Sequence, residues 1–182
     1  MKGEKRFISF TFCAVILLCQ LLPLRILHGQ TSEYLLKAGF MERFTRFIEW
    51  PGDSLMKDTS KPFNILILGE NPFGDQLAEL LKDVRIQGRR TVVSYQKTPD
   101  IQEYYHMVFI AGNMGKSLPY ILNSLNTKPV ITIGDTEGFG EEGVLINFFI
   151  EENKLRFEIN QEAVRKSGLK VSHLLLKTAK IL

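Results

Sequence analysis

The run Gly134-Asp135-Thr136-Glu137-Gly138-Phe139-Gly140-Glu141-Glu142-Gly143 sets four carboxylates among four glycines. Oxygens at that density are what a hard cation takes, but the D-x-[DN]-x-[DN]-G order of a calcium loop is absent, so no metal ligand set is assigned. Two readings stay open, a surface loop that meets a ligand or partner and a plain connection. A second glycine turn, Gly69-Glu70-Asn71-Pro72-Phe73-Gly74, follows an apolar run, where α/β sheets hold ligands. It lacks the G-x-G-x-x-G spacing, and Pro72 removes an amide that a phosphate cradle would use. A third pattern is Arg156 and Glu158, two residues apart and therefore on one face of a strand, with Phe157 and Ile159 on the other. That pair is either a solvated ladder of opposite charges or a polar specificity patch on an exposed sheet edge.

Nothing else points to catalysis. His106 and His173 fall one to an element, and His28 lies near the start. No G-x-S-x-G, H-E-x-x-H or P-loop occurs. No serine has a neighbour that would activate it as a nucleophile. The chain is expected to be no enzyme, with no catalytic residue, no metal and no cofactor.

These residues need elements to carry them. Leu36, Phe40, Phe44 and Phe47 recur at helical spacing, with Lys37, Glu42, Arg43, Arg46 and Glu49 elsewhere. Trp50-Pro51-Gly52 should end that helix, and a polar loop from Asp53 to Lys61 follows. Residues 63–68 form an apolar run stopped by Gly69, which suits a buried strand. A helix from Pro72 or Phe73 should bury Leu77, Leu80 and Leu81. Residues 91–95, 106–110 and 129–133 read as strands, and residues 117–125 as a helix. Residues 144–150 and 154–159 flank Glu151-Glu152-Asn153, which reads as a hairpin. Asn160 is a good N-cap for a helix that Gly168 closes. Val171, Leu174, Leu175, Thr178, Ile181 and Leu182 make a last amphipathic stripe. The order predicts one three-layer α/β domain, a mostly parallel sheet with flanking helices, ending in a β-hairpin and two helices.

The start of the chain is an address. Lys2, Lys5 and Arg6 precede an apolar stretch from Phe7 to Leu24, and small or polar residues follow at Gly29-Gln30-Thr31. This is the layout of a secretory signal peptide over residues 1–29, with the folded domain at residues 30–182. An uncleaved anchor is the alternative, because the stretch just reaches spanning length. The segment also carries the whole formal charge excess of +3, so the rest is balanced, which disfavours nucleic acid as a partner. Both cysteines, Cys13 and Cys19, lie in it; the exported domain therefore has no disulfide and no thiolate chemistry.

Several of these stretches together resemble the YfiR family of exported bacterial proteins. Residues 36–51, LKAGFMERFTRFIEWP, look like the family's K-A-x-x-L-x-x-F-x-x-F-x-E-W-P start. Residues 66–74, LILGENPFG, look like its LGxxPFG turn. Gly134-Asp135 through Gly138-Phe139 resembles the SDxxGF loop, with Gly134 where serine is usual. Leu155-Arg156-Phe157-Glu158-Ile159-Asn160 is similar to the VRFEIN strand. The resemblance implies a periplasmic regulator that represses a membrane-bound diguanylate cyclase by binding its periplasmic region. It implies effects on cyclic di-GMP and biofilm growth, an outer-membrane lipoprotein that relieves repression, and a homodimer. The namesake uses disulfides, which this chain's exported domain lacks.

The function expected is thus an exported, periplasmic signalling protein that binds a membrane protein of cyclase or sensor-kinase type. The partner surface is expected on the hairpin and the following helix start, at Phe148, Arg156, Glu158, Asn160 and Glu162. The alternative is a periplasmic small-ligand-binding sensory module. Its site would lie at strand ends, among Glu70, Asn71, Phe73, Asp135, Glu137 and Phe139.

Overall fold

The computed structural model describes residues 23–51, 58 and 60–182, with side chains from residue 33. The chain divides into two compact units, Met1–Tyr34 and Leu35–Leu182. The described part of the first is helical. Residues 1–22 of the expected signal segment, its basic start included, lie outside the described residues, as do residues 53–57 and 59 of the polar loop. Among the described residues no helix is long and apolar enough to cross a membrane.

The second unit is built on an eight-stranded sheet. Its strands are β2 (Phe63–Leu68), β3 (Arg85–Ile86), β4 (Arg89–Gln96), β5 (Met107–Ile110), β6 (Ile131–Gly134), β7 (Ile146–Glu151), β8 (Lys154–Ile159) and β10 (Lys180–Ile181). They lie side by side in the order β10-β8-β7-β6-β5-β2-β4-β3. Only β7–β8 and β3–β4 pair antiparallel; the other neighbours run parallel, as the strand-helix rhythm predicts. Strands β2, β5 and β6 are buried along most or all of their length, which explains their unbroken apolar text. A separate ladder joins β1 (Ile48–Glu49) to β9 (Lys170–Val171).

Both faces are covered. On one, Phe40 and Phe44 of α1 (Pro23–Phe44) pack against Phe148 and Phe157 with ring centroids 4.9 to 6.1 Å apart. Phe73, ahead of α2 (Gln76–Leu81), meets Phe109 edge-on at 4.8 Å. On the other face, Leu118, Ile121 and Leu125 of α3 (Leu118–Leu125) share a core with Leu66, Leu68, Val108 and Ile110. A 3-10 turn (Gly112–Ser117) leads into α3. Helix α4 (Gln161–Ser167) starts at Asn160, whose side chain accepts from the Ala163 amide, and ends at Gly168 with φ +70°. Both ends match the cap residues read from sequence.

Four local expectations fail, three of them for a tertiary reason and one through a local turn. The buried stripe of α1 is rotated from the one expected: Lys37, Ala38, Met41, Phe44 and Thr45 are buried, whereas Leu36 is 52% exposed. The helix stops at Phe44, before Trp50-Pro51, because Ile48–Glu49 is drawn into the ladder with β9. Helix α2 starts only at Gln76, since Asn71 closes a turn by accepting from the Phe73 amide; Leu80 is left 37% exposed. The last stripe is no single helix. Residues 170–182 become β9, the four-residue α5 (His173–Leu176) and β10, because two sheets offer free edges there.

Candidate functional site

The glycine-rich loop after β6 is held from every side. Lys37 of α1 reaches it, with Nζ 2.7 Å from Asp135 Oδ2, and the two side chains are only 5% and 9% exposed. Removed from water, such a pair is secure only when matched, so it ties the loop firmly to α1. Across the sheet, Asn147 Nδ2 donates to the Thr136 carbonyl at 3.0 Å and to Glu158 Oε1 at 3.1 Å. Asn160 Nδ2 donates to the Gly140 carbonyl at 2.8 Å. Phe139 is buried in the core shared with α3.

Close approach explains two of the loop's glycines. A Cβ at Gly140 would stand 2.5 Å from Glu158 Oε1 and 2.7 Å from Leu182 Cδ1. A Cβ at Gly134 would stand 2.8 Å from Phe139 Cδ2 and 3.0 Å from Asn147 Oδ1. The latter oxygen is buried and without a hydrogen-bond partner.

Of the residues expected at the partner surface, Arg156 and Glu162 face solvent, while Asn160 is half-buried in its cap. Phe148 is 1% exposed inside the aromatic cluster, so it supports the hairpin from within. Glu158 is 5% exposed, which corrects the reading of a solvated charge ladder. Its Oε2 accepts from Lys180 Nζ at 3.1 Å, and that ammonium lies 5.6 Å from the Phe149 ring centroid. The hydrogen bond from Lys180 and the Glu158 charge hold the ammonium above its ordinary 10.5. Arg156 instead lies 3.7 Å from Glu151 on the exposed side of the hairpin.

The strand-end residues do not converge on one concavity. Phe73 and Phe139 are buried, Asp135 is held by Lys37, and Glu70, Asn71 and Glu137 are exposed. The chain leaves β2 toward β4 and returns on its other side as β5, which makes the β2/β5 end the topological switch point. There Asn113 Oδ1 accepts from the Glu70 amide, and Asn113, Ala111 and Met114 crowd Gly69.

A cleft of about 560 Å³ lies instead between α3 and α4. Leu122, Val130 and Leu145 line it, together with Asn160, Glu162 and Glu142. Arg165 first, by a hydrogen bond, then the Lys166 charge hold Glu162 below its ordinary 4.5. Among the described residues no three His, Cys, Asp or Glu side chains are grouped to hold a metal.

Sequence reasoning missed Lys37, Asn147 and Lys180. Lys37 lies four residues before Met41, itself three before Phe44, so a stripe could have been drawn through it. Asn147 stands alone in the apolar run Val144-Leu145-Ile146-Asn147-Phe148-Phe149, and a polar residue so placed asks for buried partners. Lys180 carried no such signal.

A model of the family described as YfiR/HmsC-like matches residues 34–180. No curated protein matches the chain. Among solved structures, the chain is similar to "the ABC domain in complex with L-Trp from Streptococcus pneumonia", at 10% identity and a TM-score of 0.49. The alignment covers 65% of this chain and 55% of that one, so the chain spans about half that structure's length.

Proposed function

The chain belongs to the YfiR/HmsC-like family, and from that premise we propose that it is a periplasmic regulator that binds and represses a membrane-bound signalling protein of the diguanylate cyclase or sensor-kinase type. The family is one of regulators rather than of known enzymes. The observation that carries the reading is the match across residues 34–180, which takes in every motif that makes up the anchored loop and the hairpin. Residues 1–29 would act as the signal peptide that exports it. From the same family likeness we take a homodimer as the working assembly and an outer-membrane lipoprotein as the partner that relieves repression.

The mechanism is a shift between two states of the membrane protein's periplasmic region. To move a population from 1:99 to 99:1, the regulator must prefer one state by about 5.5 kcal/mol. A surface that does not rearrange delivers that difference best, because no ordering cost is subtracted on binding. The buried Lys37–Asp135 pair and the Asn147 and Asn160 bonds supply such a surface around Arg156 and Glu162.

The test is capture. The periplasmic region of each membrane diguanylate cyclase and sensor kinase from the source genome is purified and offered to the exported domain. One of them should bind, and Arg156→Glu with Glu162→Lys should weaken that binding about tenfold or more. Capture of none of them, or capture indifferent to both changes, overturns the reading.

A second reading, a small-ligand-binding module, is supported by the α3–α4 cleft, whose volume lies within the usual range for ligand sites. A thermal-shift screen of periplasmic metabolites separates the two. A ligand at a hundred times its Kd stabilises by about 2.7 kcal/mol, and a flat screen removes this reading.

A further inference from the structure

We propose that the partner adds an extended segment, of alternating acidic and apolar residues, to the open edge of β8 at residues 154–157. The inference rests on the regulator reading above and names the mode of its contact. Strand β8 runs from Lys154 to Ile159 beside β7, with Glu151 opposite Lys154, Phe149 opposite Arg156 and Ile146 opposite Ile159. On its other side β10 pairs only with Glu158 and Ile159. Among the described residues no strand lies beside residues 154–157.

The direction of the backbone groups follows from the register. The Asn160 amide donates to the Leu145 carbonyl, so that position is hydrogen-bonded toward β7. Stepping back by twos, Glu158, Arg156 and Lys154 also turn their amides and carbonyls toward β7. Leu155, Phe157 and Ile159 turn theirs outward. The Leu182 amide confirms this by donating to the Ile159 carbonyl from β10. Ahead of β10, the outward groups of Leu155 and the outward amide of Phe157 are therefore a template for a further strand.

The side chains along the edge choose the occupant. Lys154 and Arg156 are exposed on one face, with Lys180 beside them on β10. On the other face Leu155 is half-buried, and its cross-strand neighbour Ile150 is 52% exposed. A second copy fits poorly. Antiparallel self-pairing that keeps the apolar face in register sets Lys154 opposite Arg156, or Arg156 opposite itself, and like charges directly opposite are destabilising. A strand with carboxylates on one face and aliphatic side chains on the other meets both faces.

The experiment uses the exported domain and three synthetic ten-residue probes: alternating Glu and Val, alternating Lys and Val, and the Glu–Val composition in blocks. Amide exchange is followed by NMR, and the domain's thermal midpoint and mass in solution are measured alongside. The alternating Glu–Val probe should slow exchange at the Leu155 and Phe157 amides about tenfold or more, and the other two should not. Leu155→Pro removes an outward amide, which no β7 bond uses, together with a half-buried side chain, so it should abolish the effect while leaving the thermal midpoint within a few degrees. Lys154→Glu with Arg156→Glu should transfer the preference to the Lys–Val probe. Should Leu155→Pro unfold the domain, this charge reversal alone decides. Protection elsewhere, no protection by any probe, or equal protection by all three overturns the proposal. So does an edge already protected by self-association, seen as a mass that Leu155→Pro halves. A membrane signalling domain captured equally by wild type and the charge-reversed variant rejects strand addition and leaves the regulator reading standing. Failure to capture any such domain rejects the regulator reading while the probes still judge the edge.

Discussion

Lys37 Nζ lies 2.7 Å from Asp135 Oδ2 in the interior, joining a helix to a loop that follows it by almost a hundred residues. The pair crosses from α1 to the end of β6 and anchors the glycine-rich loop there. Removing one partner takes the 2.7 Å ion pair from a charge that stays largely out of water. Asp135→Asn and Lys37→Met should each destabilise the domain by about 3–5 kcal/mol, read from urea unfolding. The double change Lys37→Met with Asp135→Asn should cost less than the two singles summed; a simple sum would show that the pair is not coupled.

Gly134 offers a test of the orphaned oxygen beside it. Alanine there brings a Cβ against Phe139 and Asn147 Oδ1 and should destabilise by about 1–3 kcal/mol. Serine, usual at this place in the family pattern, adds the same crowding together with a hydroxyl that can donate to Asn147 Oδ1. Gly134→Ser should therefore be about 1 kcal/mol more stable than Gly134→Ala. Equal stabilities would mean that the oxygen gains nothing from a donor.

Gly39 should behave in the opposite way. It sits inside α1, and a Cβ there meets nothing within 4 Å. Gly39→Ala should stabilise by about 0.5–1 kcal/mol through helix propensity, raising the thermal midpoint. A drop would place an unseen neighbour against this face of α1.

Two groups of the hairpin and the helix that follows it are shifted in opposite directions. The ammonium of Lys180 is raised above 10.5 by the hydrogen bond and charge of Glu158, so its contribution is complete below 10.5 and is lost as pH rises through the higher folded value. The carboxyl of Glu162 is lowered beneath 4.5, chiefly by the hydrogen bond from Arg165, so its contribution is present above 4.5 and is lost as pH falls through the lower folded value. NMR titration of both side chains should show these directions. Glu158→Gln should lower the Lys180 titration toward its ordinary value and speed exchange of the Leu182 amide, which docks on Ile159. An unchanged Lys180 titration in that variant would refute the pairing.

The strands β2, β4, β5 and β6, the hairpin and the α4 caps were legible because each is a local matter, whereas the two-residue strands β1, β3, β9 and β10 were not. Short, mostly apolar runs closed by glycine, such as residues 63–68, suit strands buried on both faces of a parallel sheet. Asn160 and Gly168 act on the turn they occupy, and Glu152 and Asn153 take φ of +49° and +58° in a two-residue turn. The rotation of α1 was not legible, because helical spacing permits a stripe through Leu36 or through Lys37 and the choice depends on Asp135 at the far end of β6. The fate of residues 170–182 was hidden for the same reason. Their apolar period suits a helix, yet free edges at β1 and β8 drew them into strands.

The amino-acid order by itself therefore determined the α/β class, the balanced charge and absence of cysteine over residues 30–182, and the set of motif residues. These follow from composition, periodicity and caps, which act over a few residues. Only the tertiary structure decided that Lys37, Asp135, Asn147, Glu158 and Asn160 form one buried scaffold and that Arg156 stays outside on an open strand edge. The reason is that burying a charge or an amide requires its partner, and here most of the partners come from remote parts of the chain.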